Sequence, residues 1–231
     1  MLAKKVTNEP LHFDDALRVR SGGVQLVAEL SIPAGAGGIV VFCHGERNRR
    51  HGAVNLAAAR QMTEGGLGAA VCNFLTSAEE SIDERLPGPR FDVPRLAGRL
   101  ADVTDALGGS ERTSRLPVAY FAASTLAAAA LVAAASRPLA VRAVVSLGGL
   151  PDLAEESLTR VKAPTLLLVG ERDWKIMDRN AEALAVIPAE KSLLVVPEGT
   201  HLFTDPEALA EAVGLARDWF RHYLRTAPPA A

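Results

Sequence analysis

Hydrophobic and polar residues alternate along positions 16–20 and again along 24–32, with Ser21, Gly22 and Gly23 between the two runs. Period-two alternation around a glycine pair predicts an antiparallel hairpin. Past the glycine-rich turn at 33–38 the pattern changes. Residues 38–43 are apolar throughout, which suits a parallel strand covered on both faces. Similar runs recur at 68–75, 117–122, 141–147, 165–169 and 192–196. Helical signals fall between them at 54–64, ended by Gly65 and Gly66, and at 95–107, 125–136 and 179–186. The charged stretch 76–94 reads as a loop. A final helix is predicted over 206–224, with Asp205 as its cap and Pro206 in its first turn. Leu209, Val213, Ala216, Phe220 and Tyr223 form its apolar face.

Strand–helix units behind an antiparallel hairpin imply an α/β fold, a mostly parallel sheet with helices on both faces. No repeat or linker divides the chain, so one domain is expected over 1–231, with an ordered core from about 11 to 225 and short tails. Ligands of such sheets bind at the carboxyl ends of the strands. Chemistry is therefore sought where strands end.

Composition narrows the function classes. The chain has 231 residues, 48% apolar and 23% charged, with a formal net charge of -2, so no global field favours nucleic acid or an acidic surface. Cys43 and Cys72 each sit inside an apolar run, which predicts buried free thiols and a reducing cytoplasm. The two lysines near the start are not followed by an apolar segment, so no secretory signal is expected. The longest apolar stretch, 118–135, is rich in alanine and broken by Ser124 and Thr125, which argues against a membrane span.

Three strand ends carry residues that work together in acyl transfer. Ser124 follows the strand ending at 122 and precedes the helix at Thr125, the position of a nucleophile elbow. The same position suits a helix-capping serine, so Ser124 alone is ambiguous. Asp173 lies just past the strand 165–169, and His201 just past 192–196. A lone aspartate is commonly a loop or capping acid, and a lone histidine a packing residue. Ser, Asp and His at three strand ends in this chain order favour a triad. Asp152 is a second candidate for the acid, ranked below Asp173.

The chain resembles the dienelactone-hydrolase-like members of the α/β-hydrolases over nearly its whole length. The matching pieces are Val41-Phe-Cys-His-Gly45, then Arg50, His51 and Asn55, then Tyr120-Phe-Ala-Ala-Ser-Thr125. Ala143-Val-Val-Ser-Leu-Gly-Gly149 with Pro151-Asp-Leu153, Ala163 through Asp173, and Thr200-His-Leu-Phe203 complete the match. The resemblance implies an α/β-hydrolase fold, Ser124 as nucleophile, His201 as general base and Asp173 as the acid that orients the imidazole. Dienelactone hydrolases proper use a cysteine nucleophile, and the serine makes this chain similar to the serine-bearing relatives. Backbone N–H groups of Glu46 and Thr125 would form the oxyanion hole, and Arg50, His51 and Asn55 are substrate-loop candidates. The elbow departs from G-x-S-x-G, reading Ala122-Ala-Ser-Thr-Leu126, and Leu126 is expected to crowd the turn. The Glu46 carboxylate is expected to oppose an oxyanion; Arg47 and Arg49 read first as a solvated loop, and otherwise would offset that charge or recruit an anionic substrate.

The gap between Gly149 and Thr165 is too short for a large cap domain, which predicts an open site and small substrates. Gly35-Ala-Gly-Gly38 precedes a strand rather than following one, so it is a turn and not a dinucleotide fingerprint. The Cys and His spacings match no metal motif, and the cluster Arg47, Arg49, Arg50 and His51 has no interleaved aromatics for stacking on bases. The sequence thus predicts a cytoplasmic serine hydrolase that takes a small ester, lactone or thioester, with no cofactor, metal, nucleic acid or membrane partner. The alternative is a hydrolase-fold protein with weakened chemistry that serves as a binding or regulatory module.

Overall fold

The first alternating runs pair as expected. The structure is a computed structural model that describes residues 11–44, 49–83, 85–86, 88–201 and 203–224. Strands β1 (Asp15–Ser21) and β2 (Val24–Ser31) are antiparallel, with Ser21 opposite Val24. Gly22 and Gly23 take φ of +52° and +83°, as a two-residue turn matched to strand twist requires. Leu26, Ala28 and Leu30 point into the core while their neighbours face outward.

The remaining strands are β3 (Ile39–His44), β4 (Gly68–Asn73), β5 (Val118–Ala123), β6 (Val141–Leu147), β7 (Thr165–Gly170) and β8 (Lys191–Val196). They complete an eight-stranded sheet in the order β1-β2-β4-β3-β5-β6-β7-β8. The β2–β4 pair is antiparallel, and every pair from β4 to β8 is parallel. The chain runs outward from β3 to β4 and returns to place β5 on the other side of β3. This reversal opens a crevice at the carboxyl ends of β3 and β5, where a doubly wound sheet takes its ligand.

Helices α1 (Arg49–Glu64), α2 (Ser77–Asp83), α3 (Val93–Gly109), α4 (Thr125–Ser136), α5 (Trp174–Val186) and α6 (Pro206–Tyr223) surround the sheet. One core layer joins Val41, Tyr120 and Ala122 to Leu96, Leu100 and Leu107 of α3 and to the alanines of α4. The other joins Phe42, Phe121 and Val145 to Met62 of α1 and to Val213 and Phe220 of α6. Helix α4 is apolar on all sides, and Ala127–Ala130 are fully buried. It lies among the sheet, α3 and a 3-10 segment at Pro151–Arg160. Asp205 caps α6 as predicted, accepting the N–H groups of Glu207 and Ala208.

Three boundaries differ from expectation. Helix α1 begins at Arg49, so Arg50 and His51 are helical, and α5 begins at Trp174, directly after Asp173. The charged stretch 76–94 is not a plain loop, for it holds α2 and a 3-10 turn at Pro89–Phe91. The missed signal is Thr76-Ser-Ala-Glu79, a capping box: Thr76 Oγ1 accepts the Glu79 N–H and the Glu79 carboxylate accepts the Thr76 N–H. Buried Arg99 of α3 then donates two bonds to Glu79 and one to the Phe74 carbonyl, so the acids of this segment are consumed in folding it.

Cys43 and Cys72 lie side by side in the β3–β4 register and are buried and free. Burial pushes the Cys72 thiol up to about 12 and Cys43 well above its usual value, so both remain neutral thiols. Among the described residues no helix is long and apolar enough to cross a membrane.

Arg99 holds Glu79 down to about 2, against an ordinary value of 4.5. A depressed folded-state value means the pair's stabilisation is complete above pH 4.5 and is lost as pH falls towards 2. Glu79→Gln is therefore expected to lower stability at neutral pH by about 3 kcal/mol, with the difference from the wild type vanishing near the acid end. Denaturant unfolding followed from pH 7 to pH 2 reads both limits.

Candidate active site

Ser124 joins β5 to α4 with φ +53° and ψ -133°, a conformation that costs a non-glycine residue about 1–3 kcal/mol. Its side chain makes no capping hydrogen bond, which removes the support for reading it as a simple helix cap. The strained turn presents the half-buried hydroxyl at the carboxyl edge of the sheet, beside the crevice between β3 and β5. Thr125, the first residue of α4, is buried, and an N–H at that position has no intrahelical partner. It points the positive end of the helix towards this edge.

Asp173 and His201 meet directly. The His201 Nδ1–H donates to Asp173 Oδ2 at 2.6 Å, and Asp173 is buried while the imidazole is partly exposed. This bond fixes the tautomer that leaves Nε2 free to accept a proton. The contact depends on glycines. A Cβ on Gly170 would collide with the Gly199 carbonyl, and one on Gly199 would lie 2.8 Å from Gly170 Cα. The loops after β7 and β8 are thereby pressed backbone to backbone, and Arg172 N–H bonds the Gly199 carbonyl at 2.8 Å. Arg172 also pairs with Glu198 across the two loops, and the Glu198 N–H donates to Glu171.

The serine is tied to this pair through the turn after β6. Gly148, at φ +53°, packs so closely that a Cβ there would lie 2.6 Å from the His201 carbonyl oxygen. Two residues on, the Leu150 N–H donates to the Ser124 carbonyl at 3.0 Å. Residues 148–150 thus bridge the backbone of His201 to that of Ser124.

The other predicted residues divide. Glu46, Arg47 and the rest of the turn after β3 lie outside the described residues. Arg50, His51 and Asn55 are on α1 rather than on a loop, and Asn55 is buried. Asp152 opens the 3-10 segment and faces Arg179 of α5 at 3.4 Å, while Asp173 takes the histidine. Leu126, expected to crowd the elbow, is buried in the core layer formed by α3 and α4, and Ser124 beside it still takes a positive φ. What the motif search missed are the glycines at 148, 170 and 199. The available signal is a glycine directly after two of the apolar runs, at 148 and 170, and one three residues past the run that ends at Val196.

No protein-family model matches the chain. Among solved structures, a dienelactone hydrolase from Anabaena variabilis is similar at 46% identity and a TM-score of 0.86, over 91% of this chain and 98% of its own. A lidless α/β serine hydrolase from Xanthomonas campestris shares the fold at 20% identity and a TM-score of 0.71, over 95% of this chain and 100% of its own. A protein of Mycobacterium tuberculosis, provisionally named a phosphoribosyl transferase in two strains, is 46% identical over 216 residues. That match takes in 94% of this chain and 48% of the relative, so the chain spans about half the length of the curated relatives it matches.

Gly170→Ala tests the backbone contact beneath the His–Asp pair. The added methyl group must part the two loops, so a loss of about 2 kcal/mol or more is expected in chemical denaturation, together with loss of the low-field proton signal of the His201 Nδ1–H.

Proposed function

Because the chain belongs to the dienelactone hydrolase family of the α/β-hydrolases, we propose that it is a serine hydrolase cleaving a small ester, lactone or thioester through an acyl-enzyme. The observation that carries this reading is a serine held at positive φ with its hydroxyl unused for capping, tied by a three-residue bridge to a His–Asp pair. Strain at a non-glycine residue persists only where the surrounding structure enforces it, and it concentrates at working sites.

In this mechanism the Ser124 oxygen attacks the carbonyl carbon while His201 Nε2 takes the hydroxyl proton. Asp173 holds the imidazole in position and stabilises the positive charge that forms on it. The Thr125 N–H, at the positive end of α4, and the Glu46 N–H would receive the oxyanion. His201 returns the proton to the leaving oxygen or sulfur, and then activates water to free Ser124. The short segment between β6 and β7 supports an open site and small acyl groups.

Two other readings rank below this one. A binding module with weakened chemistry rests on Leu126 and Glu46, and the positive φ kept by Ser124 next to Leu126 favours the catalytic reading over it. Phosphoribosyl transfer, the provisional name of the mycobacterial relatives, would leave the strained serine and the His–Asp pair without a role.

A fluorophosphonate probe is expected to label the purified protein at Ser124 alone, mapped by mass spectrometry, and Ser124→Ala should abolish both labelling and turnover without unfolding the chain. Folded wild-type protein that resists the probe would return the choice to the binding module. On a series of p-nitrophenyl esters, rates should be highest for short acyl chains, and a strong preference for long chains would refute the open site.

A further inference from the structure

We infer that Asn180 is a positioning residue for the nucleophile, acting on Ser124 through a single peptide unit; the inference rests on the proposed role of Ser124. Asn180 lies on α5 and is fully buried. Its Nδ2 group donates to the Gly149 carbonyl at 3.1 Å and to the Ile176 carbonyl at 2.9 Å. The other end of the Gly149–Leu150 peptide is the N–H that donates to the Ser124 carbonyl. One rigid, planar amide therefore accepts from Asn180 on one side and donates to the strained residue on the other. Bonds in such a chain polarise one another, so the grip on Ser124 tightens when Asn180 holds the far end.

The Ser124 carbonyl also accepts the Ala127 N–H at 3.2 Å, the first bond of α4, so the Leu150 N–H ties the strained residue to the turn after β6 at the point where the helix begins. The peptide itself is confined. A Cβ on Gly149 would collide with the Ser146 side chain and lie 2.5 Å from Ala127 Cβ, so Gly149 is wedged between β6 and α4 while Asn180 fixes its carbonyl from α5. The same helix α5 follows directly on Asp173, and Asn180 stands seven residues, two turns, beyond it. A single rigid element thereby sets both the acid and the support of the nucleophile.

This arrangement is expensive for stability. Asn180 Oδ1 and, on the other side of Gly149, Ser146 Oγ are buried without a hydrogen-bond partner. An apolar side chain at 180 would remove the unmet Oδ1 but would also take the donor away from the Gly149 carbonyl, so stability alone does not distinguish the roles of this residue.

The test compares wild type with Asn180→Leu, near in volume and unable to donate, and with Asn180→Ala as a second variant should the first fail to fold. Three quantities are read: the second-order rate of fluorophosphonate labelling at Ser124, the kcat and KM for a short p-nitrophenyl ester, and Tm. Asn180→Leu that folds is expected to label about tenfold or more slowly, with kcat lowered and KM unchanged at a temperature well below its Tm, whether Tm rises or falls. Labelling and kcat at the wild-type level, at any Tm, would make Asn180 a packing residue and overturn the inference alone. Failure of the wild type to label would overturn the nucleophile assignment and this inference with it, so the two failures are distinguishable.

Discussion

Gly170 and Gly199 meet with no side chain between them, and the working edge of the sheet depends on that contact. A methyl group on either residue would enter the backbone of the other loop. With the contact in place, the Arg172 N–H reaches the Gly199 carbonyl and the loops after β7 and β8 become one surface. Asp173 and His201 lie at its far side, 2.6 Å apart. Gly148 extends the same close packing to the turn after β6, which in turn holds the Ser124 carbonyl. Backbone atoms rather than long side chains set the geometry, and backbone contacts have few rotamers in which to relax.

The interior and this edge are built on opposite terms. Inside, α4 is an almost unbroken row of buried alanines and leucines from Leu126 to Ala134, packed between the sheet, α3 and the 3-10 segment after β6. At its amino end the same helix begins from a residue at φ +53°, next to buried polar atoms with no partners. Strain and unmet hydrogen bonds are tolerated there because the tightly packed helix behind them cannot move to relieve them. Leu126 lies on the apolar side of this boundary.

A second polar knot lies along the segment between β4 and α3. The Thr76–Glu79 capping box and the Glu79–Arg99 pair hold α2 against the rest of the domain. Asp83 in turn accepts the N–H groups of Gly88 and Arg90. The charges that make this stretch look like a solvated loop in sequence are its internal fastenings.

Alternation, turn chemistry and capping signals in the sequence determined the succession of strands and of the helices other than α2, the hairpin at Gly22–Gly23, the cap at Asp205 and the strand ends that carry Ser124, Asp173 and His201. These are local properties, set by side-chain alternation, turn chemistry and capping, and they survive without knowledge of what packs against them. Tertiary structure decided what depends on partners distant in sequence. It turned residues 76–94 from a loop into α2 and a 3-10 turn, since Glu79 needed Arg99. It drew Arg50 and His51 into α1, gave His201 to Asp173 rather than Asp152, and made Asn180 the far support of Ser124. An asparagine in a helix carries no sign in sequence of which carbonyl it will meet, because that carbonyl is 31 residues away and is brought to it only when α5 packs on the turn after β6.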